Sequence, residues 1–252
     1  MKEQRRAIIL LMVSLVMTGW WHWGNYNSSA PQVVTNNETS YQVLFWNVSY
    51  AKAGWPALIE EIQKYDADII GMVEVGHGFR AEQDWLKDVF PDYQIQFLGH
   101  GFVLIRGDIL SHKRGFLENH GGYGVVRARL NDGEELGIVL ADIYAYPFMP
   151  RGPAFEALSK VLENETDQPV CLMGDFNTPP DSVFFNPLRE TLEHSFEVAG
   201  NGYQVTWPIP VPVLCLDQIW LPEGGTRSAE YHTSPHSDHR LVVAQWLIPR
   251  AE

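Results

Sequence analysis

The stretch that decides the fold reads VCLMGDFNTPP, residues 170–180. A short, unbroken apolar run bounded by turn residues is typical of a strand that is buried on both faces. The run ends at Asp175 and Asn177, whose side chains share a face if the chain stays extended. A carboxylate beside an amide suits a site that activates water and holds an anionic oxygen. The open alternative is a turn in which Asn177 bonds its own backbone before Pro179.

Four further apolar runs border polar side chains of matching chemical types. If the strands deliver these groups in the same direction, the groups converge at one rim of the sheets. Five such cases are hard to attribute to turn chemistry alone. The four runs are 41–46 before Asn47, 69–73 before Glu74, 213–216 before Asp217, and 241–246 after Asp238 and His239.

The remaining elements alternate between strands and helices, which predicts an α/β fold. Because 45% of the residues are apolar, the chain can fill a large core, and its body suits one large domain or a two-sheet α/β unit. Helices are predicted at 55–65, at 81–90, from Pro153 onward and, as a short helix, at 182–188; strands are predicted at 102–105, 125–130 and 136–144, with a hairpin turn at 131–133.

The charge of the chain limits its partners. Its formal net charge is −13, which argues against a general polyanion-binding protein. Beyond the amino terminus the sequence has no Lys/Arg cluster of the nucleic-acid-binding type. Positive potential around a bound metal ion could still attract a single phosphate group.

The amino terminus resembles an export or anchoring segment. Lys2, Arg5 and Arg6 precede an apolar run at 7–17, and a Trp cluster follows at 20–23. This order of a basic and then an apolar region is typical of a signal or an anchor, and Trp residues suit a membrane–water interface. We expect a retained anchor with the body of the protein outside the cytoplasm. The alternative is a signal peptide that is cleaved near the small residues at 28–30.

The chain is accordingly divided into three parts: a signal or membrane anchor (1–23), a polar linker rich in Asn and Ser (24–40) and one domain (41–252). We expect a monomer. The two cysteines, Cys171 and Cys215, each lie in an apolar run and are predicted to be buried structural thiols. A disulfide between them is the alternative in an exported protein.

Several motifs together indicate a family. Gly174-Asp175-Phe176-Asn177 followed by Ser237-Asp238-His239 is a specific combination, and Trp46-Asn47, Ile70–Glu74 and Leu216–Ile219 accompany it. This set resembles the endonuclease/exonuclease/phosphatase superfamily, which includes DNase I, exonuclease III-like enzymes, bacterial sphingomyelinases and inositol polyphosphate 5-phosphatases. The resemblance implies two β-sheets packed face to face and flanked by helices, which is a four-layer α/β sandwich of the DNase I type.

The resemblance also implies a metal site. Glu74 would be the main ligand of Mg²⁺, or of Mn²⁺ in its place, because hard cations prefer oxygen ligands. Asn47 would help to bind the metal ion or the phosphate, and Asp238 would support the same cluster or a second metal ion.

The same resemblance assigns the catalytic groups. Asp175 would orient the attacking water or accept its proton, and Asn177 would donate a hydrogen bond to the phosphate. His239, as an imidazolium, would stabilise charge in the transition state. Asp217 would hold His239 in its orientation and protonation state.

One position departs from the usual pattern. Many family members have a histidine where this chain reads Ala141–Pro147, and Tyr144 is its natural counterpart here. A phenol can donate a hydrogen bond to a phosphate or to a leaving group. The alternative is that Tyr144 only packs and that the chemistry is altered. Arg151 is a further candidate to bind phosphate, although such a residue is commonly a solvated helix-start residue.

The expected function is that of an extracytoplasmic, Mg²⁺-dependent phosphoesterase in which water attacks phosphorus in line. Expected substrates are a phospholipid head group, a small phosphodiester or nucleic acid. One alternative is a nuclease acting on DNA or RNA. The other is a non-catalytic binding module that keeps the fold.

Overall fold

The computed structural model describes residues 2–29, 39–76 and 83–248. Its helices are α1 (Lys2–Asn25), α2 (Trp55–Gln63), α3 (Gln83–Val89), α4 (Gly152–Glu163) and α5 (Ser195–Ala199). Its strands are β1 (Tyr26–Ser28), β2 (Thr39–Asn47), β3 (Ile69–Val73), β4 (Gln94–Phe97), β5 (Gly101–Ile105), β6 (Gly107–Phe116), β7 (Gly121–Leu130), β8 (Glu135–Ile143), β9 (Val170–Asp175), β10 (Leu192–His194), β11 (Asn201–Tyr203), β12 (Asp217–Pro222), β13 (Thr226–His232) and β14 (Leu241–Ile248).

Two six-stranded sheets form the body of the protein. The strand order is β13-β14-β2-β3-β5-β4 in the first sheet and β10-β12-β9-β8-β7-β6 in the second. Each sheet has one parallel pair of strands at its centre, and its other pairs are antiparallel. The parallel pair is β2 with β3 in the first sheet and β8 with β9 in the second. Parallel neighbours need a long crossover connection, and α2 and α4 supply these two crossovers.

The buried side chains form three layers of core. The largest cluster lies between the two sheets and includes Phe45 and Met173. A second cluster lies under α2 and includes Ile62, and a third lies under α4 and includes Phe155. The resulting order of helix, sheet, sheet and helix confirms the predicted four-layer sandwich.

The organising strand β9 lies inside the second sheet, and every residue in it is buried. Its side chains alternate between the inter-sheet core, which holds Met173, and the helix-covered face, which holds Leu172. Gly71 of β3 approaches this strand so closely that a Cβ there would lie 2.3 Å from Met173 Sδ. Glycine therefore permits the close packing of the two sheets at this point.

Both cysteines are buried and unpaired, as the apolar surroundings predicted. Burial raises the pKa of the Cys171 thiol and that of the Cys215 thiol. A thiol that stays protonated is a poor nucleophile, so both residues act as small apolar core residues.

The structure corrects the strand predicted at 213–216. The chain instead folds back there, because Trp207 and Leu214 exchange backbone hydrogen bonds of 3.0 and 2.9 Å. Thr206 Oγ1 then accepts hydrogen bonds from the backbone N–H groups of Leu216 and Asp217, at 3.0 and 3.2 Å. Asp217 therefore begins strand β12 instead of following a strand.

Other boundaries differ in smaller ways. The short helix predicted at 182–188 is replaced by two 3₁₀ turns, Val183–Phe185 and Leu188–Glu190. Pro187 lies between them and cannot continue a helix. The helix predicted at 81–90 is seen as α3, and its residues 81 and 82 lie outside the described residues.

The amino-terminal helix α1 has 24 residues, none of them buried, and it is long and apolar enough to cross a membrane. It leads directly into β1, which pairs with β11 of the domain. The predicted linker is thus ordered where it begins, because Asn27 Nδ2 donates hydrogen bonds to the carbonyls of Phe196 and Glu197, at 2.6 and 2.9 Å. Residues 30–38 of the linker, including part of the alternative cleavage region, lie outside the described residues.

Candidate active site

Three neighbouring strands of the second sheet present carboxylates side by side. Asp142 of β8 pairs with Asp175 of β9, and Asp175 pairs with Asp217 of β12. Directly paired residues project to the same face of a sheet, so the three side chains form one row. Asp175 and Asp217 are fully buried, and like charges this close need a positive partner if they are to remain ionised.

His239 supplies a positive partner. Its Nδ1 lies 2.8 Å from Asp217 Oδ2 and 4.0 Å from Asp175 Oδ2. Burial acts to lower the pKa of His239, but the charge and the hydrogen bond of Asp217, together with the charges of Asp175 and Asp238, outweigh burial and raise this pKa to about 9. The imidazole is therefore protonated at neutral pH and donates to Asp217.

Asn47 connects the two sheets at this rim. It is the last residue of β2, its Nδ2 donates to Asp175 Oδ2 at 2.9 Å, and its Oδ1 accepts from the backbone N–H of Ser49 at 2.9 Å. Ser237 Oγ donates to the Asn47 carbonyl at 2.7 Å and accepts from the backbone N–H of His239 at 3.1 Å. Ser237 therefore fixes the segment that carries His239 against β2.

The chain turns immediately after Asp175. Asn177 has a φ of +46°, its backbone N–H donates to Asp175 Oδ1, and its Nδ2 donates to the Ile143 carbonyl, at 2.9 and 2.8 Å. The expectation of an extended chain with both side chains on one face is wrong, because β9 ends at Asp175. A side-chain amide has two N–H donors, so the bond to Ile143 leaves one for a ligand.

Asp175 has the properties of a proton acceptor. Burial and the neighbouring charge of Asp217 raise the pKa of Asp175 well above its ordinary value, while His239 opposes this shift. A raised pKa makes a carboxylate a stronger base. Asn47 donates a hydrogen bond to Oδ2 of Asp175, and the Asn177 N–H donates one to Oδ1. These two bonds hold the carboxylate in one orientation and so set the direction of its remaining lone pairs.

Glu74 and Asp142 form a second acidic pair. Glu74 follows β3 with a φ of +53°, a conformation that is uncommon for residues with a Cβ. Burial, followed by the charge of Glu74, raises the pKa of Asp142 to about 7. A carboxyl group whose charge is disfavoured by a neighbouring carboxylate fits a hard divalent cation, which prefers carboxylate ligands. The residues present therefore fit a divalent metal ion at this pair.

A different group is the most compact set of possible metal ligands in the described part of the chain. Asp175, Asp217 and His239 each offer a ligand atom within 4.8 Å of the others. An imidazole must be neutral to bind a metal ion, and Asp217 favours the protonated form of His239. The described residues therefore offer two places for a divalent ion, the Glu74–Asp142 pair and this three-residue group.

Asp238 lies at the outer side of the cluster and is exposed. Partial burial acts to raise the pKa of Asp238, but hydrogen bonds from the side chains of Ser49 and Trp207 and the charge of His239 hold it below its ordinary value. Asp238 is therefore a stable negative charge beside the histidine. Its predicted metal role stays a prediction.

Tyr144 and Arg151 border the mouth of the site. Tyr144 is the first residue after β8, its side chain is 40% exposed, and its ring packs edge-on against Tyr146. Arg151 Nη1 donates to the Tyr144 carbonyl. Burial lowers the pKa of Arg151, and the charge of Asp175 opposes this shift. Arg151 is therefore within electrostatic reach of Asp175.

Sequence reasoning missed Asp142 as a residue of the site. It lies two positions before Tyr144, and the sequence suggests no partner for it. The sequence pattern that could have indicated Asp142 is the helix between the strands that became β8 and β9. Strands joined by such a crossover are parallel and end at the same edge of a sheet.

Comparisons with known proteins agree with this geometry. The model of the Endonuclease/Exonuclease/phosphatase family matches residues 44–239. This range includes every residue of the cluster described above. No curated protein sequence matches the chain.

Similar solved structures share the fold at low sequence identity. A family protein from Bacteroides thetaiotaomicron is 16% identical, with 85% of this chain and 100% of that chain covered and a TM-score of 0.73. A mannosyl-6-phosphatase from the same organism is also 16% identical, with 83% and 100% covered and a TM-score of 0.70. The human Nocturnin catalytic domain with a bound sulfate anion is 19% identical, with 82% and 92% covered and a TM-score of 0.68. Together with the family match, which spans most of the chain, this establishes that the protein belongs to the endonuclease/exonuclease/phosphatase family of metal-dependent hydrolases.

Proposed function

We propose that the protein is a membrane-anchored, Mg²⁺-dependent phosphoesterase that hydrolyses a phosphodiester or phosphomonoester outside the cytoplasm. The observation that carries this proposal is the buried chain of contacts from Asn47 through Asp175 to His239 and Asp217. It combines a strong base with a fixed positive charge within 4.0 Å. In-line hydrolysis of a phosphate ester needs both groups, one to receive a proton from water and one to stabilise negative charge.

Each side chain of the site has a proposed role in the hydrolysis. Asp175 receives the proton of the attacking water, because burial makes it the stronger base. His239 places its positive charge next to the phosphoryl oxygens while Asp217 holds the ring. Asn177 and Arg151 donate hydrogen bonds to the substrate phosphate, and Asn47 keeps Asp175 in position.

Glu74 and Asp142 would hold the metal ion, with Asn47 and Asp238 as the further predicted ligands or supports. When bound, Mg²⁺ or Mn²⁺ neutralises charge on the phosphate and polarises the phosphorus–oxygen bonds. The charge of Glu74 acts on Asp142, and this closeness of two carboxyl groups supports a divalent cation, because hard cations prefer carboxylate oxygens.

A small or lipid-borne substrate is favoured over long nucleic acid. The net charge of −13 repels a polyanion, and binding to duplex nucleic acid depends on many phosphate contacts by basic side chains. A single phosphate group needs only the local positive charge at the site. Exposed aromatic side chains in the segment after β8, among them Tyr146 and Phe148, suit an apolar portion of such a substrate.

Retention of α1 as an anchor is supported by its contacts with the domain. Trp21 and His22 of α1 and Asn27 of the adjoining β1 bond to residues of the domain, whereas a segment that is removed after export has no use for such contacts. The basic residues Lys2 and Arg5 precede the apolar run, and positive charges favour the cytoplasmic side. This orientation places the domain outside.

A substrate panel tests the proposal. The full chain in detergent is offered DNA, RNA, sphingomyelin, a sugar phosphate, inositol phosphates and a chromogenic phosphodiester, with Mg²⁺ or with a chelator. We expect Mg²⁺-dependent release of phosphate or alcohol from a small or lipid ester. Preferred cleavage of DNA or RNA would instead support the nuclease alternative, and no turnover without metal binding would support the non-catalytic module.

The paired histidine gives a prediction on pH. The fold raises the pKa of His239 from its ordinary value of 6.5 to about 9. The stabilisation from the pair of His239 and Asp217 is therefore fully present below about pH 6.5 and is lost as the pH rises through about 9. We expect turnover to decline over the same upper range. Asp217→Asn should move the decline to lower pH, because it removes the charge that raises the pKa. NMR titration of His239 and pH–rate profiles measure both, and His112→Gln on the exposed strand β6 is the control.

Tyr144 gives a second prediction. If its hydroxyl contacts the phosphate or the leaving group, Tyr144→Phe removes one hydrogen bond to a charged group, which is worth about 1.5–3 kcal/mol. That corresponds to a loss of roughly tenfold to over a hundredfold in turnover. The melting temperature should stay unchanged, because the ring and its contact with Tyr146 are kept.

Tyr144→His is the matching variant. Imidazole can also donate a hydrogen bond, so this variant should keep part of the activity with an altered pH profile. Full turnover of Tyr144→Phe, together with a lower melting temperature of Tyr144→His, would show instead that the tyrosine only packs.

The orientation of the anchor gives a third prediction. We expect added protease to digest the domain in spheroplasts, because the basic amino terminus holds α1 with the domain outside. A cytoplasmic marker protein should survive as the control. A domain that stays protected until the membrane is dissolved would contradict the proposed location.

A further inference from the structure

The end of α1 is attached to a defined place on the domain. Strand β1 pairs with β11 in register, with Tyr26 opposite Tyr203. His22 Nδ1 lies 2.6 Å from the Tyr203 hydroxyl, and the Trp21 ring stacks on the Tyr203 ring at 5.8 Å. Because the last turn of the helix and the strand after it both bind the domain, the helix determines which face of the domain lies next to the bilayer.

The loop at 207–214 connects this attachment point to the catalytic histidine. At one end, the Trp207 ring lies 6.4 Å from the His239 ring, and the Ile209 N–H donates to the Asp238 carbonyl at 2.8 Å. At the other end, the Val213 carbonyl accepts a hydrogen bond from Trp21 Nε1 at 3.4 Å. One short loop therefore contacts both the active site and the anchor.

A second segment makes the same connection. Pro179 and Pro180 follow the catalytic turn at Asn177 and line a cleft with Trp20 and Trp21 of the anchor. The cleft has a volume of about 310 Å³. The active-site rim is thus attached to the end of the anchor from two sides.

The outer surface of the 207–214 loop is apolar. The loop reads WPIPVPVL and has no charged residue, and Val211 is 70% exposed. The nearby anchor residues Trp20 and Trp23 are 78% and 85% exposed. Tryptophan is enriched at the membrane–water interface, and exposed apolar side chains next to it are stabilised by burial at the boundary between head groups and acyl chains.

We propose that the 207–214 loop rests on the bilayer surface and that the attached anchor holds it there, so that the active site opens at the level of the lipid head groups. The occupant of this surface is a lipid bilayer, because the same loop is bonded to the membrane helix. If the proposed phosphoesterase function holds, the substrate is a phosphate ester of a lipid head group. The docking geometry rests on the proposed membrane anchor and does not depend on the phosphoesterase activity.

The position of the loop can be measured by fluorescence quenching in the full chain, reconstituted into phosphatidylcholine vesicles. Val211→Cys carries an environment-sensitive fluorophore, and lipids carry a nitroxide near the top of the acyl chain. Both native cysteines are buried, so they stay unlabelled. Asn131→Cys is the control, because its turn follows β7 at the end of the second sheet remote from the site.

We expect blue-shifted emission and strong quenching of the label at position 211, with neither effect at position 131. Equal emission and equal quenching at the two positions would overturn the proposal, whether both labels are quenched or neither is. Because position 211 is exposed, the substitution should leave the melting temperature unchanged, and this is measured for both variants.

A charge at the same position separates docking from catalysis. Val211→Glu should reduce turnover of a vesicle-borne phosphate ester more than turnover of a water-soluble one, because a carboxylate resists burial at the bilayer. Equal losses on the two substrates would contradict docking. If the chain hydrolyses no ester while position 211 is quenched, the phosphoesterase function fails and the docking geometry stands.

Discussion

Replacing Asp175 by asparagine is expected to reduce turnover by about 10²–10⁴-fold, the range that a positioned general base contributes. The amide has nearly the same shape as the carboxylate but cannot accept a proton from water. Asp175 is buried, and its pKa is raised by burial and by Asp217. A neutral group at this position therefore removes a charge that the fold disfavours.

The fold of the Asp175→Asn variant should persist. The variant loses the hydrogen bond from Asn47, because the new NH₂ group replaces the accepting oxygen and two donors then face each other. A typical net hydrogen bond contributes about 1 kcal/mol, and the removal of charge repulsion offsets part of that loss. Melting temperature and turnover are measured together.

Asp167→Asn is the matched control for this change. Asp167 is exposed and lies before the opposite end of β9, so the same chemical change there should leave turnover unaltered. An Asp175→Asn variant with turnover within a few-fold of the native protein would exclude Asp175 as the base and would move that role to another carboxylate of the row.

Replacing Glu74 by glutamine is expected to weaken Mg²⁺ binding and abolish activity. A neutral amide cannot supply the charge that Mg²⁺ requires from its carboxylate ligand. The loss of affinity should exceed the roughly 10–100-fold loss that follows removal of a group that only supports a ligand. Calorimetric titration of the variant with Mg²⁺ measures it directly.

A second readout of Glu74→Gln is independent of activity. The charge of Glu74 is one cause, after burial, of the pKa of about 7 at Asp142, so this pKa should fall in the variant without metal. NMR titration of the Asp142 carboxyl reports it. Glu60→Gln on the exposed side of α2 is the control, and unchanged Mg²⁺ affinity in Glu74→Gln would assign the metal ion to other ligands.

Local sequence patterns predicted the interior of this fold well. The runs that became β3 and β9 are continuous and apolar because both faces of these strands are buried. The helices α2 and α4 were predicted from one-sided apolar spacing, which reflects the single face that each packs on a sheet. Such patterns record which side chains the fold removes from water, because hydropathy is a property of each residue and of its near neighbours in the chain.

The edges of the sheets were not predicted. The strands β4, β6, β10 and β13 form the four outer edges. An edge strand pairs on one side only and tolerates polar, exposed residues, and β6 is largely exposed along its length. Its sequence therefore has no apolar run or strict alternation, and its hydrogen bonds to β7 alone define it as a strand.

For the candidate site, the sequence determined which chemical groups are available and that they lie next to strands. The residue types at Asn47, Glu74, Asp175 and His239 were sufficient to suggest a phosphoesterase of a known superfamily. The tertiary structure decided how these groups face each other. Asp142 belongs to the site because it pairs with Asp175 in the sheet. Asp217 also pairs with Asp175, and it does so as the first residue of its strand and not as the residue after one.

The amino terminus shows the same division. Its apolar run was sufficient to predict a helix of membrane-spanning character, because hydropathy is a property of the local chain. Its attachment to β11 and to the 207–214 loop could not be predicted in this way. Register and attachment arise from hydrogen bonds between segments that are far apart in sequence, and a local pattern of apolar and polar residues contains no information on which distant partner a backbone group will meet.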